Sequence, residues 1–102
     1  MRQHNYFVYI TTTSRKTVLY VGMTNNVAGR TQQHFENRNN PKSFAGRYKC
    51  YYLVYYERFQ YVQDAIDREK EIKKWRREKK IKLIEEFNPT WKFLNWEVFE
   101  NE

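Results

Sequence analysis

Two runs of β-branched and aromatic residues, Tyr6 to Thr12 and Thr17 to Met23, are separated only by the polar stretch Thr13-Ser14-Arg15-Lys16. A connection that short joins antiparallel strands, because a parallel pair needs a crossover of roughly a dozen residues or more. The spacing therefore predicts a hairpin at the start of the chain. With a turn symmetric about Ser14-Arg15, Tyr9 is expected directly across from Tyr20 on one face, with the two phenols as neighbours. No Asn-Gly or Asp-Gly pair pins the turn, so symmetry alone sets this register. A third apolar and aromatic run, Tyr51 to Tyr56, closed by Glu57-Arg58, is expected as a third strand.

Between these strands the period changes. Thr24-Asn25-Asn26 offers N-caps, after which Val27, Ala28, Thr31 and Phe35 recur on one side of a helix, with Arg30 and His34 together beside that stripe. Gly29 costs such a helix roughly 1 kcal/mol relative to alanine, which suggests close approach by a backbone or a substrate. Asn37 to Lys49, with Pro41 and Gly46, is expected to be a mobile basic loop carrying Arg38, Lys42, Arg47 and Lys49. A helix is expected over Gln63 to Arg77 and another near Lys79 to Phe87, broken by Asn88-Pro89. The tail, with Trp91, Phe93, Leu94 and Trp96, is expected to fold back as a short helix whose tryptophans fill the core. The fold class expected is α/β of the α+β kind: a small three-stranded antiparallel sheet flanked by helices, in one domain over residues 1–102.

Nineteen Lys and Arg against twelve Asp and Glu leave a net charge of +7, which favours an anionic partner. Placement strengthens the point, because Lys70, Lys73, Lys74, Arg76, Arg77, Lys79, Lys80 and Lys82 crowd one stretch, and a patch attracts phosphates better than scattered charge. Cys50 is the sole cysteine, so no internal disulfide or cysteine-based metal site forms, and a reducing cytoplasm is the natural setting. The first residues, Met1-Arg2-Gln3-His4-Asn5, lack the apolar run of a signal peptide, and no stretch is apolar for long enough to span a bilayer.

Glu69 is the exception on its own helix. The apolar stripe runs through Val62, Ala65, Ile66 and Ile72, and at 100° per residue Glu69 points into it, whereas Asp64, Asp67 and Glu71 project to the opposite side. A carboxylate carried inward needs a cation or a hydrogen-bond donor, and a metal ion or Arg30 would serve. A Glu–Arg pair fixing helix against sheet is the plainer reading of that placement.

Val8-Tyr9-Ile10 and Tyr20-Val21-Gly22 resemble the two tripeptides that name the GIY-YIG endonuclease family. Arg30 lies ten residues after Tyr20, His34 four further on, and Glu69 within Ala65-Ile66-Asp67-Arg68-Glu69-Lys70, in the order that family uses. The whole chain is similar to small stand-alone members of that superfamily, uncharacterised or excinuclease-like, whose text includes a stretch like Glu69 to Arg77. Met23 departs from the lysine that some relatives carry beside the second tyrosine. Asn88 is equally a helix stop and is assigned no role.

The resemblance implies a metal-dependent endonuclease that hydrolyses phosphodiester bonds of DNA, with structured or branched DNA in repair or recombination as the setting. The residues it singles out are Tyr9, Tyr20, Arg30, His34 and Glu69. Glu69 would hold a divalent cation, Mg²⁺ or else Mn²⁺, and Arg30 the scissile phosphate. Tyr20 would take the proton of the attacking water, Tyr9 would orient water or phosphate, and His34 would accept or relay the proton. Nucleic acid is the implied partner, with DNA favoured over RNA and a protein partner supplying specificity. The alternatives are a catalytically idle nucleic-acid-binding module and an interaction subunit of a repair assembly.

Overall fold

The structure is a computed structural model and describes residues 5–100. Residues 1–4, which hold most of the N-terminal stretch that lacks a leader's apolar run, lie outside the described residues, as do 101–102. The elements are β1 (Tyr6–Thr12), β2 (Leu19–Thr24), α1 (Val27–Glu36), α2 (Phe44–Tyr48), β3 (Tyr52–Phe59), α3 (Val62–Lys73), α4 (Arg77–Phe87) and α5 (Asn95–Glu100). The three strands form one antiparallel sheet in the order β2-β1-β3, so β1 lies at the centre.

Alternation along the strands divides the core in two. Val8, Ile10, Val21 and Val54 face Ala65 and Ile72 of α3 and Ile84 of α4. Tyr9 and Leu53 point the other way, toward Val27 and Ala28 of α1, Leu94, and Val98 of α5. Helices thus cover both sides of the sheet, and the catalytic candidates on the strands lie on the α1 side.

The hairpin register differs from the symmetric expectation. Tyr9 pairs with Gly22, and Tyr20 pairs with Thr11. The cause is the turn, which occupies Thr13 to Val18 rather than four residues. Thr13 accepts from the Lys16 N–H at 2.9 Å through its carbonyl and from the Thr17 N–H at 2.9 Å through its hydroxyl, and Thr12 Oγ1 donates to the Val18 carbonyl at 2.7 Å. Lys16 adopts φ 60°, the left-handed conformation that closes this wider turn. These bonds use the polar side chains that the symmetric reading treats as a plain linker.

Asn26 caps α1 by accepting the Gly29 N–H at 3.0 Å. Gly29 is where that side chain comes close, since a Cβ there would lie 2.4 Å from Asn26 Nδ2. Neither a distant backbone nor a substrate is needed to explain this glycine. His34, with Val27, Ala28 and Thr31, forms the buried face of α1, while Phe35 is half-buried. The basic connection is not one loop throughout, because Ser43 accepts the Gly46 N–H at 2.9 Å and starts the short α2. The aromatic strand extends to Phe59, α3 stops at Lys73, and Val62 is exposed rather than part of the apolar stripe.

The tail seals the free edge of β3. Leu94 N–H donates to the Leu53 carbonyl at 2.7 Å, Asn95 accepts from Leu53 N–H at 2.8 Å and donates to the Tyr51 carbonyl at 2.9 Å, and Asn88 donates to the Val54 carbonyl at 3.0 Å. Strand-edge groups that would otherwise invite another chain are thereby paired. Asn88 is therefore a structural staple. Trp91 packs against the core as expected, but Trp96 is 60% exposed, so the tail's tryptophans do not all fill it.

Candidate active site

Strand alternation puts Tyr9 and Gly22 on the same sheet face as Tyr20, which stands diagonally from Tyr9 with ring centroids 6.2 Å apart. Gly22 lets the phenol of Tyr9 lie across the edge strand: a Cβ at residue 22 would sit 2.5 Å from Tyr9 Cζ, 2.5 Å from its hydroxyl and 3.0 Å from Tyr20 Cε1. The spacing of the tyrosines along the chain does not show this role for Gly22, although the glycine closing the second tripeptide is a signal for it.

His34 enters from α1 and completes a triangle of rings, with its centroid 6.1 Å from both Tyr9 and Tyr20. Its Nε2 is 3.3 Å from the Tyr9 hydroxyl. Burial, and then the positive charge of Arg30, push His34 down to about 4, so the imidazole is neutral at pH 7. That favours a hydrogen-bond partner of Tyr9 over a proton acceptor. Burial pushes the Tyr9 phenol up to about 12, against the lowering influence of Arg30. Tyr9 therefore keeps its proton at neutral pH.

Arg30, one turn before His34, is solvent-exposed and donates to Gln33 Oε1 at 2.7 Å. It stands beside both phenols, and hydrogen bonding to Tyr9 in particular favours its charged form. Tyr20 is only partly buried, so of the two phenols it is the one more open to solvent.

Glu69 stands on α3, the helix that covers the opposite face of the sheet from Tyr9. The helix α3 packs chiefly on the edge strand β2, and the Glu69 side chain is 21% exposed, while Asp64, Asp67 and Glu71 are exposed. Its charge is near enough to Tyr9 to oppose ionisation of that phenol. The cation paired with it is Lys73, at 3.3 Å and one helical turn away, rather than Arg30. The i,i+4 spacing of Glu69 and Lys73 is the sequence signal for this pair.

Residues 5–82 match the family described as the GIY-YIG catalytic domain. The chain belongs to the GIY-YIG family. It is 35% identical over 82 residues to proteins named UPF0213 in Staphylococcus aureus strains Mu3, Mu50 and N315, an overlap of 80% of this chain and 96% of each relative. No solved structure matches it. A GIY-YIG domain places the chain in a nuclease family whose members act on nucleic acids and generally use divalent metal ions. No helix among the described residues is long and apolar enough to cross a membrane.

The donor set bears on how such an ion would be held. Among the described residues, no group of three or more His, Cys, Asp and Glu side chains gathers to form a cage. One half-buried carboxylate, Glu69, suits a hard cation that keeps most of its waters and borrows phosphate oxygens from its substrate, the habit of Mg²⁺. The residues present fit that kind of ion.

Proposed function

We propose that this chain is a metal-dependent endonuclease that hydrolyses phosphodiester bonds of DNA, with Tyr9, Tyr20, Arg30, His34 and Glu69 as its working residues. The observation that carries the reading is the meeting of two phenols, a neutral imidazole and a guanidinium over Gly22, with the charge of Glu69 felt at the same phenol.

Each residue's part follows from its surroundings. Arg30 offers paired N–H donors to the scissile phosphate and counters the charge that grows on it. Tyr20 takes the proton from the attacking water, with the guanidinium of Arg30 beside it. Tyr9, which holds its proton, donates a hydrogen bond to orient water or phosphate, and His34 steadies that hydroxyl. Glu69 would hold the divalent ion, Mg²⁺ or Mn²⁺, whose chemistry is to neutralise a non-bridging oxygen and ease departure of the 3′-oxygen.

Basic residues of the hairpin tip and the turn after α3 come together in a rim. Arg77 donates to the Lys16 carbonyl at 3.1 Å, which ties the exposed hairpin tip with Arg15 and Lys16 to the turn bearing Lys74 and Arg76. Such a rim binds phosphates without reading sequence, which supports branched or nicked DNA in repair or recombination as substrate, with any sequence preference supplied by a protein partner in the cytoplasm.

The test is cleavage of labelled branched DNA, and of RNA, by the purified chain with Mg²⁺, with Mn²⁺ and with chelator. Metal-dependent cuts that Glu69→Ala and Tyr20→Phe abolish are expected. Binding with no cutting by the parent chain under any metal refutes hydrolysis and leaves an idle binding module. Loss of binding even at low salt points to an interaction subunit instead.

A further inference from the structure

A cleft of about 380 Å³ opens on the α1 side of the sheet, one step from the phenols. Phe7, two residues before Tyr9 on the same strand face, lines it together with Tyr56, and the two rings meet edge to face at 6.4 Å. Ala28, half a turn before Arg30, lines it with Val27 and Val98. The polar part of the lining consists of the amides of Asn5, Asn25 and Asn26, and among the described residues no charged side chain lines the cleft.

That lining suits a flat, uncharged, polar ring better than a phosphate. Aromatic walls stack on or edge against a heterocycle, and amide side chains pair with base edges. The volume falls in the range of small-ligand pockets. Two of the amides have their oxygens committed: Asn5 Oδ1 accepts from Arg58 Nε at 2.5 Å, and Asn26 Oδ1 accepts from Gly29 N–H at 3.0 Å. Each of those oxygens already accepts one bond, while the NH₂ groups of the amides are donors that can pair with the carbonyl acceptors of a pyrimidine.

We infer that this cleft, formed by Phe7, Tyr56 and Ala28 with the amides of Asn5, Asn25 and Asn26, is a nucleobase pocket that receives the base of a nucleotide adjoining the scissile phosphate. The inference rests on the hydrolytic reading of the neighbouring phenols, since Phe7 of the cleft stands two residues before Tyr9 on one strand face. It gives the protein a preference for a nucleotide whose base is unstacked, as at a nick, a flap or a branch, because a paired base cannot enter a cleft without leaving its stack.

Nucleoside binding tests this apart from catalysis. Thymidine, and a tetrahydrofuran deoxyribose lacking the base, are titrated into isotope-labelled full chain carrying Glu69→Ala, with side-chain amide and backbone resonances followed by NMR. Thymidine is expected to shift the amides of Asn25 and Asn26 and the backbone of Ala28, with no comparable shift from the abasic sugar. Asn25→Ala, an exposed change outside the Asn26 cap, is expected to weaken thymidine about threefold to tenfold. Equal shifts from both ligands, or shifts confined to Tyr20 and Arg30, overturn the pocket. Cleavage of DNA by a chain whose cleft ignores thymidine overturns the pocket and leaves hydrolysis standing. Thymidine seated there, with no cutting by the parent chain under any metal, supports the pocket and refutes hydrolysis.

Discussion

Replacing Gly22 with alanine places a methyl carbon where the Tyr9 phenol now lies, 2.5 Å from both its Cζ and its hydroxyl. Non-bonded carbons are content at about 3.5–4.0 Å, so the Tyr9 ring has to retreat by roughly 1 Å or more. It has little room, being 2% exposed and packed with Val27, Ala28 and Leu53, and the new methyl would itself lie 3.0 Å from Tyr20 Cε1. Overpacking of this kind costs about 1–3 kcal/mol, and a displacement of about 1 Å at a working group costs about 100-fold in rate. The expected outcome of Gly22→Ala is therefore a folded chain whose unfolding free energy in urea is lowered by about 1–3 kcal/mol and whose single-turnover cleavage is slowed about 100-fold. Because the hydroxyl that moves is the partner of His34 Nε2, the His34 ring resonances should shift as well. A variant as stable as the parent, with unchanged turnover and an undisturbed His34, would refute the placement of Tyr9 over Gly22.

Three further outcomes follow from the geometry. His34 is pushed down to about 4 in the folded chain, against about 6.5 unfolded, so the unfolded state binds the extra proton first. Stability should be full above pH 6.5 and fall by up to about 3 kcal/mol as pH drops toward 4; His34→Phe should flatten that slope in urea titrations. Asn88→Ala removes side-chain bonds to the Val54 carbonyl, the Lys92 carbonyl and the Lys92 N–H. A loss of about 2–4 kcal/mol by chemical denaturation is expected, and a loss under about 0.5 kcal/mol would mean that the staple does not hold. Reversing Arg76 and Arg77 to Glu should weaken DNA binding at every sequence and reduce the slope of log affinity against log salt by about 1 for each phosphate no longer neutralised. An equal effect from Lys42→Glu with Arg47→Glu would show that net charge, rather than the rim, is at work.

How much of this was legible in the letters depends on the range of the interaction. The run Tyr6 to Thr12 is a strand with the expected limits, because β-branched and aromatic residues carry that preference locally. Asn26 caps α1, and Glu69 is the half-buried carboxylate of α3, both read from spacing along one helix. The limits of β2, α3 and α4 were less legible, because their ends are set by a turn's hydrogen bonds and by packing. His34 was placed beside the stripe of α1 and lies within it, since it is the Tyr9 hydroxyl, distant in sequence, that makes burying an imidazole acceptable there.

The amino-acid sequence alone determined the hairpin, the helical faces, the basic stretch and the ordered set of Tyr9, Tyr20, Arg30, His34 and Glu69 that marks the family, because each rests on residue type and short-range period. Only the tertiary structure decided the strand register, the seat of Tyr9 over Gly22, the neutral state of His34, and the sealing of β3 by Asn88 and Asn95. Those depend on which atoms meet across elements, and on the water excluded when they do, and neither quantity exists until the chain has closed on itself.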